Sequence, residues 1–182
     1  MEFKIFTEND KNLYEKDIIE MLSSADKDFV PPLSQRASTL DKSFFGQSSN
    51  GSGIQSYYRE MKNQDILGVF IEEKLVGFVS YRRDFVNDII TETELPNIYV
   101  STLLVGKEAR GMGLTKKMYS YLFFDLYPER NIFTRTWSTN FSHTKILSFF
   151  GFSETLRKEN DRGAGIDTVY YKRAREKELA LV

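Results

Sequence analysis

The apolar positions change period several times along the chain, and each change marks an element. Ile98-Tyr99-Val100-Ser101-Thr102-Leu103-Leu104-Val105 is almost continuously apolar and rich in β-branched and aromatic side chains, which suits a buried strand. A glycine turn follows, Gly106 to Gly113, and from Leu114 the spacing becomes helical. Leu114, Met118, Tyr121, Leu122 and Leu126 share one face of a 3.6-residue repeat, while Lys116, Lys117, Ser120 and Asp125 fall mostly elsewhere. Strand, glycine turn and helix form the stretch around which the chain is organised.

Upstream, Phe3 to Phe6 reads as a short strand, and Thr7 or Asn9 caps a helix whose apolar face is Tyr14, Ile18, Met21 and Leu22. Pro31-Pro32 ends that region, since proline does not continue a helix from within. Short helices are expected at Leu33–Leu40 and Gln55–Met61, with a mobile polar loop between them at Gln47 to Gly53. Phe44, Phe45, Tyr57 and Tyr58 beside that loop either line a substrate channel or pack a helix on the sheet. Ile66–Ile71 and Leu75–Tyr81 form an antiparallel hairpin about the turn Glu72-Glu73-Lys74, and Arg82 to Glu94 leads to the organising strand. Downstream come a strand in Asn131–Thr139, a helix from Asn140, and a closing hairpin of Phe152–Leu156 with Thr168–Tyr171. The loop Asn160 to Asp167 is either a polar turn or a substrate-side loop, and Lys172–Leu179 is a charged surface helix.

Composition narrows the function classes. The chain has 182 residues, 41% apolar and 14% aromatic, enough for one domain with a sizeable core. A formal net charge of -1 offers no footprint for nucleic acid. There is no cysteine, hence no disulfide, thiolate metal site or cysteine nucleophile, and the one histidine, His143, argues against a histidine metal centre. No apolar run approaches a membrane span and the start has no signal-peptide design, so a cytoplasmic protein is expected.

The candidate chemistry sits in the glycine turn. A strand that feeds a helix through such a turn leaves backbone N–H groups pointing outward at the positive end of the helix dipole. Gly111 and Gly113 allow close approach of a ligand to the backbone, and Arg110, Lys116 and Lys117 add positive charge. That is a phosphate cradle, unless the glycines serve only to turn the chain. The P-loop tripeptide Gly-Lys-Ser/Thr is absent, and the third glycine of a dinucleotide turn is Lys116.

Arg110-Gly111-Met112-Gly113-Leu114-Thr115 resembles the acetyl-CoA motif Arg/Gln-x-x-Gly-x-Gly/Ala of the GCN5-related N-acetyltransferases, with Thr115 in place of the last small residue. Asn140, Gly151 and Phe152 match that family's second signature in register, with Leu147 where a tyrosine is usual. The resemblance implies an α/β (α+β) fold: a mixed, mostly antiparallel, twisted sheet flanked by helices. It implies a single domain over 1–182, with an N-terminal acceptor side (1–65), a sheet core carrying the acetyl-CoA site (66–152), and a closing hairpin and tail (153–182). Acetyl-CoA is then the co-substrate. Leu103, Leu104 and Val105 meet the pantetheine arm, Arg110, Gly111, Met112, Gly113, Leu114, Thr115 and Lys116 hold the pyrophosphate, and the Leu103 backbone N–H faces the oxyanion. Asn140 caps its helix and reaches a pantetheine amide, and Gly151 suits a left-handed helix end.

The implied acceptor is a primary amine of a small molecule or peptide. Glu94, Tyr99, Ser101 and His143 are the candidates to take its proton, although His143 in a first helical turn suits a surface or capping role equally well. Leu147 cannot protonate a leaving thiolate, and Ser148 points about 100° away round the helix. A non-catalytic CoA-binding module and a plain interaction domain are the competing classes, and a homodimer stays open.

Overall fold

A computed structural model of the chain describes residues 1–36 and 53–175. Its sheet has seven strands in the order β1-β2-β3-β4-β5-β7-β6. These are β1 (Glu2–Ile5), β2 (Asp65–Ile71), β3 (Lys74–Arg83), β4 (Asn97–Val105), β5 (Asn131–Trp137), β6 (Ser153–Lys158) and β7 (Thr168–Arg173). The helices are α1 (Glu8–Leu13), α2 (Glu15–Ser24), α3 (Ile54–Met61), α4 (Leu114–Ser120) and α5 (Phe141–Phe149). Strand β4 pairs in parallel with β5, Asn97–Val100 against Asn131–Thr134, whereas β1–β2, β5–β7 and β6–β7 are antiparallel. The mixed, mostly antiparallel architecture implied by the resemblance is therefore present. The chain divides into two compact units: Met1–Ser80 with Ser101–Met118, and Tyr81–Val100 with Tyr119–Val182.

In the first unit, Thr7 caps α1 through a reciprocal pair. The Asp10 N–H donates to Thr7 Oγ1 at 3.2 Å, and the Thr7 N–H donates to Asp10 Oδ2 at 3.0 Å. Lys4 Nζ lies 2.6 Å from the Asp10 carboxylate. Hydrogen bonds from Lys4 and then from Thr7 hold the Asp10 pKa down at about 2. The single N-terminal helix anticipated from periodicity is two helices that meet at Tyr14. The break turns the Tyr14 ring onto Phe6 (5.3 Å) and Phe70 (5.1 Å), while Ile18 and Leu22 stay fully buried. The core is Phe6, Ile18, Leu22, Leu33, Tyr57, Met61, Ile66, Phe78 and Leu104 with their neighbours. The expected helix at 33–40 is a single 3-10 turn, Leu33–Gln35, where its first residue packs; its remainder from 37, Phe44, Phe45 and the loop from Gln47 lie outside the described residues. Tyr57 and Tyr58 are 2% and 3% exposed and pack α3 on the core, and Tyr58 also forms part of the wall of a surface cavity with Glu15, Ile19, Gln55, Arg59 and Lys62.

In the second unit, β7 lies between β5 and β6, so the closing hairpin adds two strands to the sheet edge. Tyr119, Phe123, Phe150 and Phe152 form an aromatic cluster with ring centroids 4.9–6.3 Å apart. Lys172 belongs to β7, which removes it from the expected terminal helix; residues from 176 lie outside those described.

The helix after the glycine turn departs from the expected face. Beyond Ser120 it widens into a π segment, Tyr121–Leu126, closed by a Tyr127 N–H to Leu122 carbonyl bond of 3.1 Å. Tyr119 and Phe123 are buried as well as Leu114, Met118 and Leu122, while Tyr121 and Leu126 at the two ends of the π segment are only partly buried.

Candidate functional site

The glycine turn lies in the first unit and is built on the end of β4. The Gly106 N–H donates to the Val76 carbonyl at 2.9 Å, which ties the start of the turn to β3. A 3-10 turn, Lys107–Ala109, anchored by buried Ala109, then delivers Arg110 and the two glycines to the surface. Gly111 and Gly113 have φ of +81° and +71°, a region that side chains bearing a Cβ enter at a cost. No atom lies within 4 Å of where a Cβ would stand at either, so the glycines meet open space and not a packed neighbour. The first i to i−4 bond beyond the turn runs from the Lys117 N–H to the Gly113 carbonyl, 3.1 Å, so the N–H groups of Leu114, Thr115 and Lys116 precede the hydrogen-bonded ladder.

Arg110 is about half exposed and is not solitary. Its Nη2 donates to Asp28 Oδ2 at 2.7 Å and its Nε to the Val105 carbonyl at 3.4 Å. Asp28 stands 82 residues away in chain order, in the 3-10 turn Asp26–Asp28, and no local pattern announces it. Lys116, Lys117 and Met112 are exposed.

Along the C-terminal half of β4, Ser101, Leu103 and Val105 are partly buried while Thr102 and Leu104 between them are buried. Thr102 Oγ1 lies 2.7 Å from the Tyr57 hydroxyl. Ser101 Oγ lies 2.9 Å from Ser80 Oγ and donates to Gln64 Oε1. Gln64 and Ser80, 3% and 0% exposed, are partners that sequence reading did not single out; Ser80 is a polar position in an apolar strand, Gln64 ends a polar run before β2, and only the fold shows that they meet.

The other candidates lie in the second unit. Glu94 precedes β4 in a 3-10 turn and is held by Lys172 Nζ at 2.6 Å and by Asn131 Nδ2. Tyr99 is 2% exposed with its ring 4.8 Å from that of Phe85. Asn140 caps α5 as expected: its Oδ1 accepts the His143 N–H at 3.3 Å, and its Nδ2 donates to Thr136 Oγ1 at 3.0 Å. Gly151, at φ +75°, ends that helix. Leu147 is fully buried, a packing residue, and Ser148 is exposed.

His143 is not the surface or mere capping residue that its helical position suggests. Its Nε2 lies 2.7 Å from the Tyr119 hydroxyl and its ring stacks on that of Tyr119. Part of the side chain meets solvent, yet the aromatic packing pushes the imidazole pKa down to about 4. Burial pushes the Tyr119 phenol well above its usual range, opposed only in part by a hydrogen bond with Thr134. Both groups are neutral at pH 7. The loop Asn160 to Asp167 is closed on itself: Asp167 accepts from Arg157 and from the Asn160 N–H, and Arg162, 5% exposed, donates to Thr168. Among the described residues no cluster of acidic or histidine side chains could hold a metal, and no helix is long and apolar enough to cross a membrane.

Comparison with known proteins bears on this geometry. The family model described as "Acetyltransferase (GNAT) family" matches residues 33–152. No curated protein sequence matches. Solved structures share the fold at low identity. The ribosomal-protein-alanine N-acetyltransferase from Brucella melitensis superposes with a TM-score of 0.65 at 12% identity, covering 96% of this chain and 99% of its own. The N-acetyltransferase from Staphylococcus aureus Mu50 gives 0.64 at 14% identity, over 95% and 97%. The yncA protein of Salmonella typhimurium, solved with its cofactor acetyl-CoA, gives 0.62 at 13%, over 96% and 93%.

Proposed function

From the premise that the chain belongs to the GNAT family of acetyltransferases, we propose that it transfers an acetyl group from acetyl-CoA directly to a primary amine of a small molecule or peptide, within a ternary complex and as a single domain. The observation that carries this is the glycine turn at the end of β4, open at both Cβ positions and joined by Arg110. It suits a pyrophosphate, which needs close backbone approach and donated N–H groups rather than a fitted apolar pocket.

Acetyl-CoA supplies an activated acyl carbon on a good leaving group. The chain's residues do the remainder. Gly111 to Lys116 offer backbone N–H groups to the phosphates, and Arg110 adds charge. Strand β4 pairs with β5 over Asn97–Val100. Further along β4, the backbone of Leu103–Val105 suits an extended pantetheine arm in the manner of an added strand. The Leu103 N–H would then face the carbonyl oxygen, where a preorganised donor is worth several kcal/mol.

Acid–base chemistry is sparse. Glu94 is committed to Lys172 and Asn131, Leu147 has no proton to give, and His143 with a pKa near 4 is a weak base at pH 7. The rate then rests mainly on positioning, which can supply roughly 7–11 kcal/mol, with protons leaving through water. Thiol release from acetyl-CoA, measured across lysine-containing peptides, N-terminal peptides, polyamines and aminoglycosides, tests the reading. Amine-dependent release supports it. Tight CoA binding with no release above the hydrolysis background would replace it with a non-catalytic CoA-binding module.

A further inference from the structure

The direction of β4 orders the proposed site. Arg110 and the glycines follow its C-terminal end, so a CoA molecule held there would run back along β4 past Val105 and bring its thioester to Leu103. An acceptor nitrogen has to approach the thioester from its far side, away from the glycine turn, and Ser101 is the next residue on the same alternating face, about 7 Å further back along the strand. Ser101, Leu103 and Val105 are the partly buried positions of this half of β4.

The Ser101 hydroxyl is held by two buried partners. Its proton faces Gln64 Oε1 at 2.5 Å, nearer than the Ser80 carbonyl at 3.3 Å, which leaves the Ser80 hydroxyl, 2.9 Å away, to donate to Ser101 Oγ. Gln64 is 3% and Ser80 0% exposed, so both are fixed. A serine oxygen has two acceptor lone pairs and Ser80 uses one. An amide oxygen does not take up a proton at neutral pH, so this arrangement is no proton relay. It fixes Ser101 as a hydrogen-bond acceptor with one lone pair to offer.

We propose that Ser101, oriented by Gln64 and Ser80, receives an N–H of the attacking amine and so selects a nitrogen acceptor and aims it at the acyl carbon. The inference rests on the acetyl-CoA reading above. In the step, the amine nitrogen bonds to the acyl carbon, the carbon–sulfur bond breaks, and sulfur leaves with the electron pair. The proton lost by nitrogen passes through water and ends on the thiolate. Ser101 takes no proton at any stage. Gln64 and Ser80 are positioning residues.

The test uses the full chain and two probes: CoA whose sulfur carries –CH₂–CO–NH–propyl, and the matching ester, –CH₂–CO–O–propyl. They differ in N–H against O; the ester also has a weaker carbonyl acceptor, an effect that the Ser101 and Gln64 variants leave unchanged and so separate from the lost donor. Titration calorimetry of the parent should give amide binding about tenfold tighter than ester, the scale of one well-made hydrogen bond. Ser101→Ala and Gln64→Leu should each abolish the preference and leave the dissociation constant of CoA within twofold. The double variant should lose no more than either single one. Ser101→Thr, which keeps a hydroxyl and suits a strand, should retain it. Equal binding of amide and ester by the parent, or a preference that survives Ser101→Ala, would overturn the proposal. Failure of CoA itself to bind the parent would overturn the acetyl-CoA reading and this inference with it.

Discussion

Single residues carry most of the chemistry, and two of them give sharp tests. Gly113 stands at φ +71° with open space where a Cβ would go. Valine at 113 puts a branched side chain into that space and disfavours the backbone conformation. CoA binding by Gly113→Val should weaken by about tenfold or more, roughly 1.4 kcal/mol, while circular dichroism stays native-like because the apolar face of α4 is untouched. Arg110→Ala should act more mildly, since Arg110 is about half exposed, its charge is shared with Asp28 and screened by salt. His143 gives the pH test. Its folded pKa near 4 is below the unfolded value of 6.5, so the unfolded chain takes the proton first as pH falls. Its contribution is intact above pH 6.5 and is lost progressively between 6.5 and about 4, by at most about 1.4 kcal/mol per pH unit. In urea unfolding over that range, the stability of the parent relative to His143→Phe should fall as pH drops, because the variant lacks this proton uptake. His143→Ala should lower turnover by less than about tenfold, below the 10²–10⁴ expected of a general base.

Elements add a second layer, in which local backbone choices fix where side chains go. The β2–β3 connection has only Glu72 and Glu73, at φ of 49° and 63°. Positive φ at both central residues is the type I′ arrangement, which matches strand twist and prefers Asn-Gly. The pair Glu72→Asn with Glu73→Gly should therefore stabilise the chain by about 1 kcal/mol, read as a higher urea midpoint with unchanged slope. Thr7 at the start of α1 works in the other sense: Thr7→Ala removes the acceptor of the Asp10 N–H and should cost about 1 kcal/mol. The π segment after α4 shows how one widened turn re-sorts a face. Just before it, at the end of α4, buried Tyr119 is the partner of His143.

At the scale of the whole molecule, a ligand that binds only the folded state raises its melting temperature. CoA and acetyl-CoA should do so in a concentration-dependent way, and ATP and NAD far less, because the turn lacks both the Gly-Lys-Ser/Thr of a P-loop and the third glycine of a dinucleotide site. Equal shifts for all four would mean that the turn reads phosphate alone.

What the sequence determined by itself was whatever depends on neighbours in the chain. The strand Asn97–Val105, the glycine turn, the Thr7 and Asn140 caps and the β2–β3 hairpin all follow from spacing and turn chemistry over a few residues, and the Arg110–Thr115 motif is local in the same way. What the tertiary structure decided was every pairing across long chain separations. Asp28 on Arg110, Gln64 and Ser80 on Ser101, Lys172 on Glu94 and Tyr119 on His143 are 82, 37, 21, 78 and 24 residues apart. Whether a titratable group is a base or a packed neutral ring depends on those partners and on burial, since desolvation and hydrogen bonding set its pKa. A one-dimensional pattern encodes which residues are polar; which of them meet is set by the packing of the sheet and its helices.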